Sequence, residues 1–473
     1  MEDTKFLPEQ KRQCVHCGHY LPTDARFCQF CGAPACPPAA SPARRGPHSA
    51  LWKKALLIAL LVTLLAAMGL SAALIIINKP SAVPALPSTR AGLKRSIGKA
   101  SEYLNEQGRR LADGKMKGAP VYSVEGKLDT ENHTVSGREY VLFTNTTTHA
   151  LKSAVFRVYP NHPAVRGQCE PFSVTGVRVD GKPAKSAVSR SLLTIHFSDN
   201  LRPGTDALIE FAFKEEIPSV QGGTGGIEDV FGGGGGYGVF GRADTLYSLG
   251  YWFPLLCSYR DGAWDSREVP PYGDVADFGC SYFNVSFDVP ERYRVAATGL
   301  PTGDSKKKDR RIYTFAAGPV RDFSLQASPD YRSAVRKVGP TTVTSYFLGE
   351  DEKSGLKALE YAGNALKQFN RHIGQYPYVR LNVCEAPLGG GAAGMEFSGQ
   401  IIIARMLYRL GGVEGLDLGD GDINKMLKGM LGGFVGDTME FVTAHEVCHQ
   451  WWGISVGTDS IDHPWMDESL TNY

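Results

Sequence analysis

Net charge is the first thing this sequence lacks. Fifty-one Lys and Arg stand against forty-nine Asp and Glu in 473 residues, leaving +2. No global field therefore draws the chain to nucleic acid or to acidic substrates, and its chemistry must lie in local sites. A nucleotide-binding loop is missing as well: the glycine-rich stretch "GGTGGIEDVFGGGGGYGVFG" has no following Gly-Lys-Ser/Thr, so it reads as a surface loop. Long apolar runs are scarce, with a single one between 55 and 77. Cysteine is sparse too, at ten residues, and five of them crowd into the first 36.

What is present divides the chain into segments. Residues 1–35 hold Cys14, Cys17, Cys28 and Cys31 as two C-x-x-C pairs ten residues apart, each followed by a glycine (Gly18, Gly32). That spacing predicts a four-cysteine zinc ribbon with one structural zinc. Two disulfides are the alternative, but so small a module without metal has almost no core to fold around. Cys36 has no assigned role. A Pro/Ala-rich linker covers 36–54. The 23 uncharged residues 55–77 are long enough to span a bilayer and begin too far from the N-terminus for a signal peptide. Metal-bound thiolates belong on the reducing side, so the ribbon is expected in the cytoplasm and the bulk of the chain outside it. The expected placement is a single-pass protein of the cell membrane.

Beyond the span, 78–114 reads as a stalk with a short helix. Residues 115–330 turn to β: an Asp180-Gly181 hairpin signal and alternating runs such as "ALIEFAF" and "YFNVSFDV" predict a β-sandwich-like domain. Cys169, Cys257, Cys280, Cys384 and Cys448 lie past the span, an odd number that cannot all pair within the chain. From 331 to 473 the pattern becomes mixed α/β. Leu356, Leu359, Ala362, Leu366, Phe369 and Ile373 recur at helical steps, and Gly374 closes them. The strand-like "YVRLNVCEA", a glycine-rich loop, "GMEFSG" and "QIIIA" follow.

The densest signal is "TAHEVCHQWWG", with His445, Glu446 and His449 in a His-Glu-x-x-His arrangement. Asp437 as N-cap and Gly453 beyond predict a helix over 438–452, with Val442 and Trp452 on the face of the two histidines. Imidazoles one turn apart can share one ion. A catalytic zinc needs a third protein ligand, and Glu468 stands eighteen residues past His449 on a second helix started by Pro464.

"HEVCHQWWG", "PWMDESLTNY" and "GMEF" together resemble the zinc aminopeptidases typified by aminopeptidase N, with weaker similarity running back to about residue 120. The resemblance implies an incomplete thermolysin-like α+β catalytic domain behind a β-rich N-terminal domain. It implies catalytic zinc on His445, His449 and Glu468, with Glu446 as general base. Glu396 would hold the substrate α-ammonium, with Gly394 and Met395 beside the peptide backbone. Phe397 departs from the family's Asn, which puts a backbone-orienting contact in doubt. The family's oxyanion-stabilising tyrosine and helical lobe lie well downstream of the second-helix glutamate, whereas Tyr473 is only five residues past Glu468. Both are expected beyond Tyr473. The function implied is removal of N-terminal residues from extracytoplasmic peptides. No nucleic-acid partner is expected, and the ribbon's cytoplasmic partner is unspecified. A related endopeptidase, or a non-catalytic peptide-binding receptor, also fits the residues.

Overall fold

The computed structural model describes residues 12–14, 20–21, 85–220, 237–270, 273, 277–411 and 436–473. The chain forms two units, Met1–Lys79 and Pro80–Tyr473. In the first, the two-residue strands Arg12–Gln13 and Tyr20–Leu21 pair antiparallel, and Cys14 beside them is buried. Cys17, Cys28, Cys31 and the apolar run 55–77 lie outside the described residues. Among the described residues no helix is long and apolar enough to cross a membrane.

In the second unit the stretch expected as a stalk carries helices α1 (Arg90–Ala100) and α2 (Glu106–Ala112), capped by Thr89 and Asn105. They do not stand apart from the sheets. Leu93, Ala100 and Tyr103 are fully buried; Tyr103 stacks on Tyr378 at 4.7 Å, and the Val379 N–H donates to the Tyr103 carbonyl.

Seven strands build most of a large sheet: β1 (Val121–Asp129), β2 (Thr134–Thr144), β3 (Ser173–Val179), β4 (Asp206–Glu216), β5 (Ser281–Pro290), β6 (Leu300–Lys307) and β7 (Arg310–Val320). They lie in the order β6-β7-β5-β1-β2-β4-β3, with Lys182–Pro183 as an eighth edge strand. Only β5 and β1 are parallel. Asp180 and Gly181 both take positive φ, +53° and +77°, at the tight turn their sequence predicts. A four-stranded sheet that includes Leu151–Arg157 and Leu192–Leu201 shares its core, where Phe156 meets Phe211 edge-on at 5.8 Å.

The site rests on a second, five-stranded sheet. Its strands are β8 (Tyr331–Val338), β9 (Thr341–Leu348), β10 (Arg380–Ala386), β11 (Gly394–Phe397) and β12 (Gln400–Ala404), in the order β8-β9-β10-β12-β11. β9, β10 and β12 run parallel, and β12 is buried along its whole length, as a covered parallel strand requires. β11 turns back antiparallel and, among the described residues, has no further strand beside it.

Helix α3 (Glu352–His372) covers β8 and β9. It packs through the expected stripe, with Leu359, Ala362 and Leu366 buried, but that stripe is broadened by Ser354, Gly355, Ala358 and Gly363, while Leu356 and Ile373 at its ends are exposed. Close approach is the reason: a Cβ at Gly355 would sit 2.1 Å from the Phe347 ring. A seven-residue helix, α4 (Arg405–Gly411), follows β12. Helix α5 (436–448) and helix α6 (Trp465–Asn472) come last in the chain.

Candidate metal centre and peptide cleft

Helix α5 is already under way at 436 and ends at 448, four residues short of the sequence expectation. The backbone tightens there into three-residue turns, with Gln450 N–H donating to the Val447 carbonyl and Trp451 N–H to that of Cys448. Gly453 at φ +99° then reverses the chain. His449 keeps a helical bond to His445 all the same, through its own N–H, so the two imidazoles stay on one face. Their Nε2 atoms are 3.1 Å apart.

Glu468 on α6 completes the cluster, with Oε2 at 3.2 Å from His445 Nε2 and Oε1 at 3.6 Å from His449 Nε2. Ligands bound at roughly 2.0–2.1 Å around a tetrahedral ion lie about 3.3 Å from one another, so this donor set fits zinc without rearrangement. His449 Nδ1 lies 3.2 Å from the Trp452 carbonyl. An N–H there would donate to that oxygen and leave Nε2 as the ligand atom. Hydrogen bonding from His445 is the main reason the Glu468 carboxyl sits below its ordinary range.

The loop before α6 is fixed from several sides. Asp467 is fully buried and accepts from Thr458 Oγ1 at 2.7 Å, from the Ser460 hydroxyl, and from the Glu468 N–H at 3.0 Å. Arg267, which follows the hairpin strand Ala263–Trp264, contacts Asp459 at 3.1 Å and also Asp462. Arg321, just past β7, donates to the carbonyls of Ile454 (2.7 Å) and Phe278 (2.8 Å) and packs flat enough on Gly457 that a Cβ there would lie 2.1 Å away.

The expected peptide-binding residues face this cluster from β11. A cleft of about 270 Å³ is lined by Gly394, Met395, Glu396, His445, Glu446, His449 and Glu468, together with Tyr237, Phe441 and Val442. A Cβ at Gly394 would fall 2.3 Å from Glu446 Oε1, so only glycine lets the strand lie this close to the helix. One donor atom each from Glu396, Glu446 and His449 fall within 4.8 Å of one another. Burial, reinforced by the negative Glu468 and Asp467, pushes the Glu396 carboxyl up to about 8.

Neighbouring strand residues point to opposite faces, so Phe397 must turn away when Glu396 faces the cleft. Phe397 is buried against Tyr251, ring centroids 5.2 Å apart. Cys448 is buried and burial pushes its thiol up to about 11; Trp452 contributes its carbonyl rather than its ring. Tyr473 is fully exposed and does not line the cleft. Cys169, Cys257, Cys280, Cys384 and Cys448 are all free thiols. Sequence reasoning missed Tyr237, Arg267, Arg321, Gln450 and Asp467; of these only Asp467 carried a signal, its place beside Glu468.

A zinc-ribbon domain family matches residues 13–35. No curated protein matches the chain. Among solved structures, the M1 zinc metallopeptidase of Deinococcus radiodurans is similar at 14% identity and a TM-score of 0.47, covering 74% of this chain and 68% of that one. A mutant of it bound to a Tyr-Ser-Ala substrate gives 14% identity and a TM-score of 0.46 over the same shares. At that distance the likeness adds no weight to the geometry, on which the functional reading rests.

Proposed function

We propose that this chain is a membrane-anchored zinc aminopeptidase, with residues 55–77 as its span and the ribbon on the opposite side from the peptidase part. One observation carries the catalytic reading: two imidazole nitrogens and one carboxylate stand at zinc-ligand spacing in a cleft that also holds Glu446 and Glu396. His445, His449 and Glu468 would hold the ion. Bound there, zinc supplies a Lewis acid that polarises a peptide carbonyl and makes water a stronger acid.

The chain's own groups do the rest. Glu446 takes the proton of the attacking water and passes it to the departing amine. The outer edge of β11, unpaired among the described residues, offers backbone donors and acceptors to an extended peptide. Glu396 receives the α-ammonium. A buried carboxyl is favoured in its ionised form by such a cation. Phe441 and Val442 wall the opposite side and thin the water around the reacting bond. The four N-terminal cysteines would hold a second, structural zinc.

The test uses the full chain in detergent with leucine anilide and its N-acetyl copy. Cleavage of the free amine and neglect of the acetylated copy are expected. Equal cleavage of both would move the assignment to an endopeptidase, and cleavage of neither by zinc-loaded protein would favour a peptide-binding receptor.

A further inference from the structure

β11 ends at Phe397 and β12 begins at Gln400, so the hairpin closes through Ser398 and Gly399 alone. So tight a turn leaves backbone groups pointing away from the ladder, and buried ones must find partners elsewhere. Two of the three partners come from one side chain. Gly399 N–H donates to Gln450 Oε1 at 2.8 Å, and Gln450 Nε2 donates to the Phe397 carbonyl at 3.0 Å. The third group, Ser398 N–H, donates to Asp322 Oδ1 at 2.8 Å. Gln450 is fully buried, with the Tyr376 hydroxyl 3.5 Å from the same Oε1. Its amide faces the turn as a second strand would.

What matters is where the two ends of this contact lie. Gln450 directly follows His449, and Phe397 directly follows Glu396. One planar group thus joins the metal-binding segment to the strand whose carboxylate faces the cleft. Its only soft joints are the side-chain torsions of a residue packed on all sides. An enzyme that counts one residue from a free amine must fix the distance from the reacting carbonyl to the ammonium group. A displacement of about 1 Å at such a site costs on the order of a hundredfold in rate.

We infer that Gln450 is a positioning residue for N-terminal selection. Its carboxamide sets the separation between the imidazoles of His445 and His449 and the carboxylate of Glu396, and so decides which peptide bond meets the metal. This rests on the aminopeptidase reading above. It also accounts for Phe397: with that side chain in the core, the polar hold on the strand comes from the helix segment instead.

The experiment compares wild type with Gln450→Met, which keeps the bulk and loses both hydrogen bonds, and Gln450→Asn, which keeps the amide but draws it back by one methylene. The readout is the ratio of kcat/KM for leucine anilide to the residual kcat/KM for its N-acetyl copy, measured at high enzyme concentration, together with zinc content. A second readout is calorimetric binding of leucinamide to the metal-stripped protein. Both variants should retain zinc, lower the ratio on the order of ten- to a hundredfold by losing only the free-amine reaction, and weaken leucinamide binding in step. A merely structural defect would depress both substrates alike and leave the ratio unchanged. If Gln450→Met fails to fold, Gln450→Asn carries the same test. Variants that hold zinc and keep the wild-type ratio overturn the inference while leaving the aminopeptidase reading in place. A wild-type protein that cleaves both substrates equally overturns both.

Discussion

The sandwich and the cleft both bury carboxyl groups, to different ends. In the large sheet Glu139 lies between Val124 and Phe211 on its neighbouring strands, and Glu215 stands across from Val135. Neither has a hydrogen-bond partner for either oxygen, and burial pushes both well above the usual carboxylate range. In the cleft the carboxyls fall into two sets that share His449, one with His445 and Glu468 and one with Glu396 and Glu446. A perturbed carboxyl is therefore a poor marker of function by itself. Convergence of donors at ligand spacing is the better one.

Removing single groups sharpens that contrast. The largest effect is expected from Glu446→Gln, which should lower kcat about 10²–10⁴-fold while metal analysis finds zinc still bound. Glu139→Gln should leave kcat untouched, and wild-type turnover in the Glu446 variant would break the contrast. His445→Ala should lose one zinc equivalent, and a Cys14→Ser, Cys17→Ser double variant the other; two equivalents retained in the His445 variant would remove the catalytic centre from this cleft. Gly394→Ala comes next. Its new methyl must displace Glu446, so a fall in kcat of roughly ten- to a hundredfold is expected, with little change in melting temperature. An unchanged kcat would mean Glu446 has room to spare.

The smallest effect on turnover belongs to the sandwich, and it is read in the pH dependence of stability. Glu139 and Glu215 keep their protons in the folded state, whereas unfolded glutamates release theirs near their ordinary value. The folded state thus binds more protons above that value, and stability must fall as pH rises from about 4.5. Each group contributes a slope of about 1.4 kcal/mol per pH unit while it stays protonated, an upper figure if water reaches it. Denaturant midpoints at pH 5 and pH 8 should therefore diverge less in Glu139→Leu than in wild type. Equal divergence would show that Glu139 ionises in place.

The convergence of His445, His449 and Glu468 was legible because helices write their geometry into sequence: His445 and His449 four apart, and Pro464 opening the next helix; the start of α5 was not, since the helix is already under way at 436 and Asp437 is not its cap. The Asp180-Gly181 hairpin was legible for a similar reason, since few residues accept positive φ in succession. The stripe of α3 was legible through Leu359, Ala362 and Leu366, but not its breadth, because Gly355 and Gly363 let helix and sheet approach closely and glycine carries no hydrophobic signal. Gln450 stayed hidden because its partners are backbone atoms of Phe397 and Gly399, some fifty residues away, and a backbone amide looks the same in every sequence. Glu139 and Glu215 sat inside alternating strands where a polar residue reads as outward-facing.

Arg267 and Arg321 belong to the earlier, sandwich-bearing part of the chain, while the loop they grip, around Ile454 to Asp462, leads into the helix of Glu468. Synthesis runs in that same direction. The segment that carries Glu468 thus docks on residues made earlier in synthesis. A chain whose sandwich has collapsed would lose the seat of that loop, so the proposed metal centre would depend on the earlier sheets being folded.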